Sequence, residues 1–312
     1  MIPTGNGKLT RRDFLRASSA LVAALTLPAT ELLRPKEAQA LETIAGGAPV
    51  LWLQAQSCSG CSISLLNSIS LSTIDGLLVG ALDLESHPTL MASAGNLAVS
   101  AAEKTYRRGG YVLVVEGAIP TADGGKYCQL WPGLTALEGV ARYAKRAAFI
   151  IAVGTCAAFG GLVAGAPNPT GAKGLDASYY GKTVIKLPGC PCHPDWIVGT
   201  VAHLLANGTA PSLDSLGRPT EFFQTRVHDR CPLRGSEEAN MLAQPGCLSE
   251  LGCKGRTTRA DCPNRRWNSG GKDQVGVNWC IGSGAPCFGC TEPSFPDGMS
   301  PFYWLEEADD DD

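Results

Sequence analysis

Two pairs of cysteines, Cys58-Ser59-Gly60-Cys61 and Cys287-Phe288-Gly289-Cys290, have the spacing that lets two thiolates reach one metal centre. One such pair is compatible with zinc, a redox dithiol or an iron–sulfur cluster. A redox dithiol would stand alone at the start of a helix, yet the two pairs belong to a crowd of 13 Cys among 312 residues. Zinc takes its four ligands from local knuckles, which pairs so far apart in sequence do not form. Disulfides are the strongest rival if the chain is exported. Against them stands His228-Asp229-Arg230-Cys231, where a histidine is placed like a metal ligand.

The elements that must hold these residues are legible in part. Val50–Leu53, Tyr111–Val115, Phe149–Val153 and Val184–Leu187 are short apolar or β-branched runs, each followed by a turn with Gly or Pro. Between them Leu134, Leu137, Ala141 and Ala144 recur at helical spacing. This alternation predicts an α/β unit, a parallel sheet covered by helices. In such a sheet, ligands gather where loops leave the carboxyl ends of the strands. Cys58 and Cys61 follow the first run, Cys156 the third and Cys190 the fourth.

From about residue 206 the composition shifts to Pro, Gly, Asn, Arg and Cys, with seven cysteines at 231, 247, 253, 262, 280, 287 and 290. Periodic apolar patterning nearly disappears, so bound metal clusters are expected to replace the missing core. The resulting division is 1–40, a cleaved signal; 41–205, the α/β domain; and 206–312, a Cys-rich domain with a short acidic tail.

The signal reading rests on Arg11-Arg12-Asp13-Phe14-Leu15-Arg16, a mild apolar stretch from Ala17 to Leu27, and Ala38-Gln39-Ala40 as a cleavage site. The stretch is too short to span a bilayer. The arginine pair resembles a twin-arginine signal, which implies export of an already folded chain to the periplasm or the outer face of the cytoplasmic membrane. Beyond residue 40 there remain 20 Lys and Arg against 26 Asp and Glu. That balance offers nucleic acid no electrostatic attraction, and no later apolar run is long enough to cross a membrane. The final Asp309-Asp310-Asp311-Asp312 reads as a solvated tail.

Taken in order, the motifs resemble those of nickel–iron hydrogenase small subunits. They are Gln56-Ser57-Cys58-Ser59-Gly60-Cys61, Val115-Glu116-Gly117-Ala118-Ile119-Pro120, Gly154-Thr155-Cys156 and Pro188-Gly189-Cys190-Pro191 in the first half. Gly246-Cys247, Leu251-Gly252-Cys253-Lys254-Gly255, Asp261-Cys262 and Pro286-Cys287-Phe288-Gly289-Cys290 follow in the second. The resemblance implies a flavodoxin-like N-terminal domain and an irregular, cluster-stabilised C-terminal domain. It implies Cys58, Cys61, Cys156 and Cys190 as ligands of a proximal [4Fe–4S] cluster. His228, Cys231, Cys247 and Cys253 resemble the ligands of a distal [4Fe–4S] cluster, and Cys262, Cys287 and Cys290 resemble the medial set. Many relatives have only these three medial cysteines and a [3Fe–4S] cluster. Cys280, in Trp279-Cys280-Ile281-Gly282, departs from that pattern and resembles the nickel–iron–selenium branch with a medial [4Fe–4S] cluster. The closing Thr291–Met299 segment resembles the same branch.

The family resemblance further implies a large subunit that alone holds nickel and iron, and an external electron carrier such as a cytochrome or a membrane quinone-reducing subunit. No catalytic residue is expected on this chain. The cluster-bearing subunit of NADH:quinone oxidoreductase shares part of the first domain but lacks the Cys-rich half and the signal. Oxygen-tolerant relatives carry two extra cysteines where this chain has Gly60 and Gly161, and Ser57 stands where the family often has an acidic residue. Cys128 and Cys192 are left as buried structural residues. His87, His193 and His203 are expected to be ordinary hydrogen-bonding histidines.

Overall fold

The computed structural model describes residues 48–68, 82–267 and 278–303. The signal at 1–40 and the acidic tail lie outside the described residues. Five parallel strands form one sheet: β1 (Ala48–Gln54), β2 (Leu82–Ser86), β3 (Val112–Glu116), β4 (Phe149–Val153) and β5 (Val184–Leu187). Their spatial order is β2-β1-β3-β4-β5, the order of flavodoxin-like sheets. Four of the strands match the apolar runs. The fifth, β2, escapes the sequence pattern, because only Leu82 and Ser86 are buried and Asp83 and Glu85 break any apolar run.

The inner strands are covered on both faces, so they read as unbroken apolar runs rather than as alternation. One face carries Val50, Trp52, Val112, Val114, Ile151, Val153, Ile185 and Leu187. The other carries Leu51, Leu53, Leu113, Val115, Ile150 and Ala152. Each fully buried Leu or Ile in these layers contributes about 1.5–3 kcal/mol relative to exposure. Helix α1 (Gly60–Leu66) follows β1, and α2 (Gly95–Arg108) follows β2. Helix α3 (Ala136–Ala144) packs Val140 and Tyr143 on the second face. It starts later than its first periodic leucine: Thr135 is the N-cap in a reciprocal capping box with Glu138, which satisfies two otherwise unpaired amides. Helix α4 (Gly154–Phe159) is a short turn directly after β4.

Helix α5 (Pro194–Asn207) covers the first face with Trp196, Ile197 and Val201. His193 caps it by accepting the Asp195 amide at Nδ1, 3.1 Å, and Gly208 ends it in the left-handed region. The second half of the chain contributes to this same layer. Phe222, Phe223, Val227, Leu248, Leu251, Ala260, Trp279 and Ile281 are buried in one apolar cluster with the sheet and α5. Its apolar residues are too sparse in sequence to show a period, yet the sheet supplies the surface against which they pack. Among the described residues no helix is long and apolar enough to cross a membrane.

Candidate functional site

Cysteine-bearing loops leave the carboxyl ends of β1, β4 and β5, beside the point where strand order reverses between β1 and β3. Open α/β sheets bind ligands at such a crevice. Cys61 is buried at the start of α1, with its Sγ accepting the Cys192 amide at 3.4 Å. Burial pushes its thiol pKa well up, and Cys192, Glu116 and Cys156 nearby add to the rise. Burial likewise raises Cys156, with Cys58 beside it contributing. Cys190 is exposed as a residue, yet the protein atoms packed around its sulfur, and then Cys156 and Cys58, push it up to about 11. The structure therefore brings Cys58, Cys61, Cys156 and Cys190 together. Cys58 and Cys190 are exposed in the isolated chain.

Three glycines make room around these sulfurs. Gly154 has φ +82°, and a Cβ there would stand 2.5 Å from Cys61 Sγ. A Cβ on Gly60 would lie 3.1 Å from Cys58 Sγ, and one on Gly161 3.0 Å from Cys156 Sγ.

A polar network that sequence reasoning missed supports this loop. The Glu116 carboxylate, 2% exposed at the end of β3, accepts five hydrogen bonds. They come from the amides of Cys61 and Ser62, Ser62 Oγ at 2.5 Å, Trp52 Nε1 and Gln54 Nε2. His87 is fully buried, its ring 4.8 Å from that of Trp52. Its Nδ1 accepts the amides of Thr89 and Leu90, so in the neutral ring Nε2 carries the proton and donates to Ser62 Oγ at 3.2 Å. Burial lowers the His87 pKa to about 4. The one available signal was Glu116 itself, a carboxylate ending an otherwise apolar strand.

The second group forms where Cys262, Cys280, Cys287 and Cys290 meet. Burial pushes Cys262 well up, and Cys290, Asp261, Cys287 and Cys280 all lie close enough to push it further. Cys287 is raised to about 12, first by burial and then by Cys253 and Cys280. Cys280, at the start of the turn Ile281–Ser283, lies near Cys262, Cys287 and Cys290 and also near Cys253 of the third group. The loop after Cys290 is pinned by a buried ion pair: Arg218, 2% exposed, binds Asp214 at 2.8 Å, Glu292 at 3.1 Å and the Thr291 carbonyl at 3.2 Å.

In the third group, burial raises Cys231, and Cys253 and Cys247 beside it add to the rise. Cys247 is held by backbone bonds to Glu237 and Ala239, each 2.8 Å. His228 opens the turn His228–Arg230 before Cys231, and a Cβ on Gly255 would sit 3.5 Å from Cys253 Sγ and 3.6 Å from the His228 amide. The His228 backbone and the Cys253 sulfur thus flank Gly255.

All 13 cysteines are free thiols, and among the described residues no three of His, Cys, Asp and Glu converge closely enough to share one ion. Eleven thiols in three neighbouring groups suit a polynuclear cofactor, in which each ligand holds a different iron. Cys128 packs at the edge of the second apolar face, Cys192 is fully buried in the first, and His203 faces Asn207.

Two family models divide the chain between them. Residues 58–204 match "NADH ubiquinone oxidoreductase, 20 Kd subunit", and residues 223–303 match the C-terminal part of the "NiFe/NiFeSe hydrogenase small subunit". The periplasmic [NiFeSe] hydrogenase small subunit of Desulfomicrobium baculatum is 42% identical, over 96% of this chain and 99% of that protein. The chain belongs to the nickel–iron hydrogenase small subunits. The periplasmic [NiFe] hydrogenase small subunit 1 of Nitratidesulfovibrio vulgaris is 39% identical over 95% of this chain and 93% of its own length. A solved structure of the H2-activated Desulfomicrobium baculatum [NiFeSe] hydrogenase superposes with a TM-score of 0.76 at 42% identity, covering 84% of this chain and all of that one. As a hydrogenase small subunit, the protein is the electron-transferring half of a heterodimeric oxidoreductase, and iron–sulfur clusters are its family's cofactor.

Proposed function

We propose that this small subunit holds three iron–sulfur clusters in a row: a proximal [4Fe–4S] on Cys58, Cys61, Cys156 and Cys190, a medial [4Fe–4S] on Cys262, Cys280, Cys287 and Cys290, and a distal [4Fe–4S] on His228, Cys231, Cys247 and Cys253. The observation that carries this reading is the convergence of residues far apart in sequence into three neighbouring groups. Cys190 interacts with Cys290 across the first gap, and the Cys287 amide donates to Cys253 Sγ at 3.4 Å across the second. When bound, the clusters accept and release single electrons, the step needed after dihydrogen yields two. The chain's own residues hold the thiolates, donate amides to sulfur and exclude water with Trp279, Ile281 and Leu251. Exposed Cys58 and Cys190 favour a large subunit seated on the proximal end, with its nickel–iron site beyond them. The distal end then faces an external carrier such as a cytochrome or a quinone-reducing membrane subunit. The division at 205/206 follows the same scheme, the second half being the medial and distal cluster domain.

The test is spectroscopic. Anaerobically oxidised protein should lack a strong [3Fe–4S] signal, and Cys280→Pro should create one. An intense signal in the wild type would give the medial set three irons and leave Cys280 a packing residue. The names of the periplasmic relatives and the Arg11-Arg12 pair support export of the folded heterodimer by the twin-arginine route. Changing both arginines to lysine should strand it in the cytoplasm, whereas undiminished export would overturn that route.

A further inference from the structure

Thr155 is buried, 1% exposed, between Gly154 and the proximal residue Cys156. Its amide donates to the Gly189 carbonyl at 3.0 Å, and its Oγ1 accepts the Gly189 amide at 2.8 Å. Gly189 directly precedes Cys190. The hydroxyl has one proton to give, and it donates it to the carbonyl of Cys290, a medial residue. One side chain therefore ties two proximal ligand loops to a medial one.

A buried threonine hydroxyl stands at each of the two gaps between groups. Between the medial and distal groups the Cys287 amide donates to Cys253 Sγ and the Lys254 amide to the Cys287 carbonyl at 2.8 Å, while the buried Thr258 hydroxyl donates to the Lys254 carbonyl at 2.7 Å and lies in hydrogen-bond contact with the Cys287 thiol. Between the proximal and medial groups, a side-chain hydroxyl serves alongside the contact of the Cys190 backbone with the Cys290 thiol. A buried hydroxyl costs desolvation that a valine of the same shape would avoid, and packing alone gives no reason for threonine here.

We propose that Thr155 is a positioning residue for electron transfer, its hydroxyl fixing the proximal and medial sets relative to each other and providing a bonded link between them. The proposal rests on the ligand sets assigned above. With clusters bound, the step it would serve is the passage of one electron from the proximal cluster to the medial one. No bond forms or breaks, and the Thr155 hydroxyl keeps its proton.

The experiment uses the full heterodimer with Thr155→Val and Thr155→Ser. Iron and acid-labile sulfide, the potentials of the separate cluster signals, and hydrogen–deuterium exchange on dihydrogen report intact sites. That exchange needs no electron to leave the large subunit. Rapid freeze-quench paramagnetic resonance after mixing with dihydrogen then times reduction of the medial set. Thr155→Val is expected to keep its iron and its exchange rate while the medial set fills several-fold more slowly, with Thr155→Ser restoring the wild-type speed. Wild-type filling in an iron-replete Thr155→Val protein would overturn the proposal. If valine costs proximal iron, Thr155→Ala against Thr155→Ser decides: slow filling in alanine alone supports the role, and equal filling overturns it. A wild-type protein without separate proximal and medial signals would instead refute the site assignment, and the proposal with it.

Discussion

Gly154→Ala should remove the proximal cluster while leaving the fold. Two effects act at this position and a control separates them. The first is backbone strain: at φ +82° an L side chain costs about 1–2 kcal/mol. The second is steric. The new Cβ would stand 2.5 Å from Cys61 Sγ, where ordinary contact begins near 3.4 Å, so the sulfur must retreat by about 0.9 Å. Metal–ligand distances tolerate only about 0.2 Å. Cys61 has little freedom to follow, because Glu116 holds its amide at 3.1 Å and the Cys192 amide is bonded to its sulfur. Gly181 supplies the control, with φ +62° and nothing within 4 Å of an added Cβ. Gly181→Ala bears strain of the same kind without the collision. Iron and sulfide analysis of purified heterodimer should show Gly154→Ala short by about four irons and lacking the proximal signal, with Gly181→Ala complete. A full iron complement and a normal proximal signal in Gly154→Ala would refute the reasoning, because Cys61 would then not be a ligand held where the structure puts it.

Two further perturbations probe the scaffold. His87 is held neutral by burial, its pKa about 4 against an ordinary 6.5, so the unfolded chain binds the proton more readily. The stability it protects is present above pH 6.5 and is lost as pH falls towards 4, about 2 kcal/mol of it between pH 7 and 5. Melting of the wild type should drop more steeply over that range than melting of His87→Gln; parallel slopes would show that His87 charges freely in the fold. Arg218→Met should leave Glu292 and Asp214 without their buried partner, at a cost of about 3–5 kcal/mol. Limited proteolysis should then cut selectively near residues 212–220 and 291–299, with Arg218→Lys intermediate because an ammonium lacks the planar fork. Unchanged digestion of Arg218→Met would mean that the cluster loops hold themselves.

The flavodoxin-like sheet was largely legible because buried parallel strands advertise themselves as β-branched runs ended by glycine turns, as in Val112–Val115 and Ile150–Val153. The edge strand Leu82–Ser86 was not legible, since its three middle residues are only partly buried and include Asp83 and Glu85, whereas the opposite edge strand Val184–Leu187 is mostly buried and apolar. The fold of the second half was also opaque: Phe222, Leu248 and Trp279 are core residues only because the sheet and α5 lie opposite them.

For the candidate site, the sequence by itself determined the chemistry. A crowd of soft donors that includes the pairs Cys58/Cys61 and Cys287/Cys290 leaves few alternatives to metal binding, and the order of motifs carried the family resemblance. Which thiols stand together is a different matter. Cys61 and Cys192 are 3.4 Å apart, sulfur to amide, across more than a hundred residues of chain, and Cys253 meets both Cys231 and the Cys287 amide. The roles of Glu116, His87 and Thr155 likewise appeared only once strand order had set β3 beside β1 and the β5 loop against Cys290. Local spacing encodes what a residue can bind, because ligand type and reach are properties of a few adjacent atoms. Partnership between distant loops depends on strand order and close packing, which no local pattern specifies.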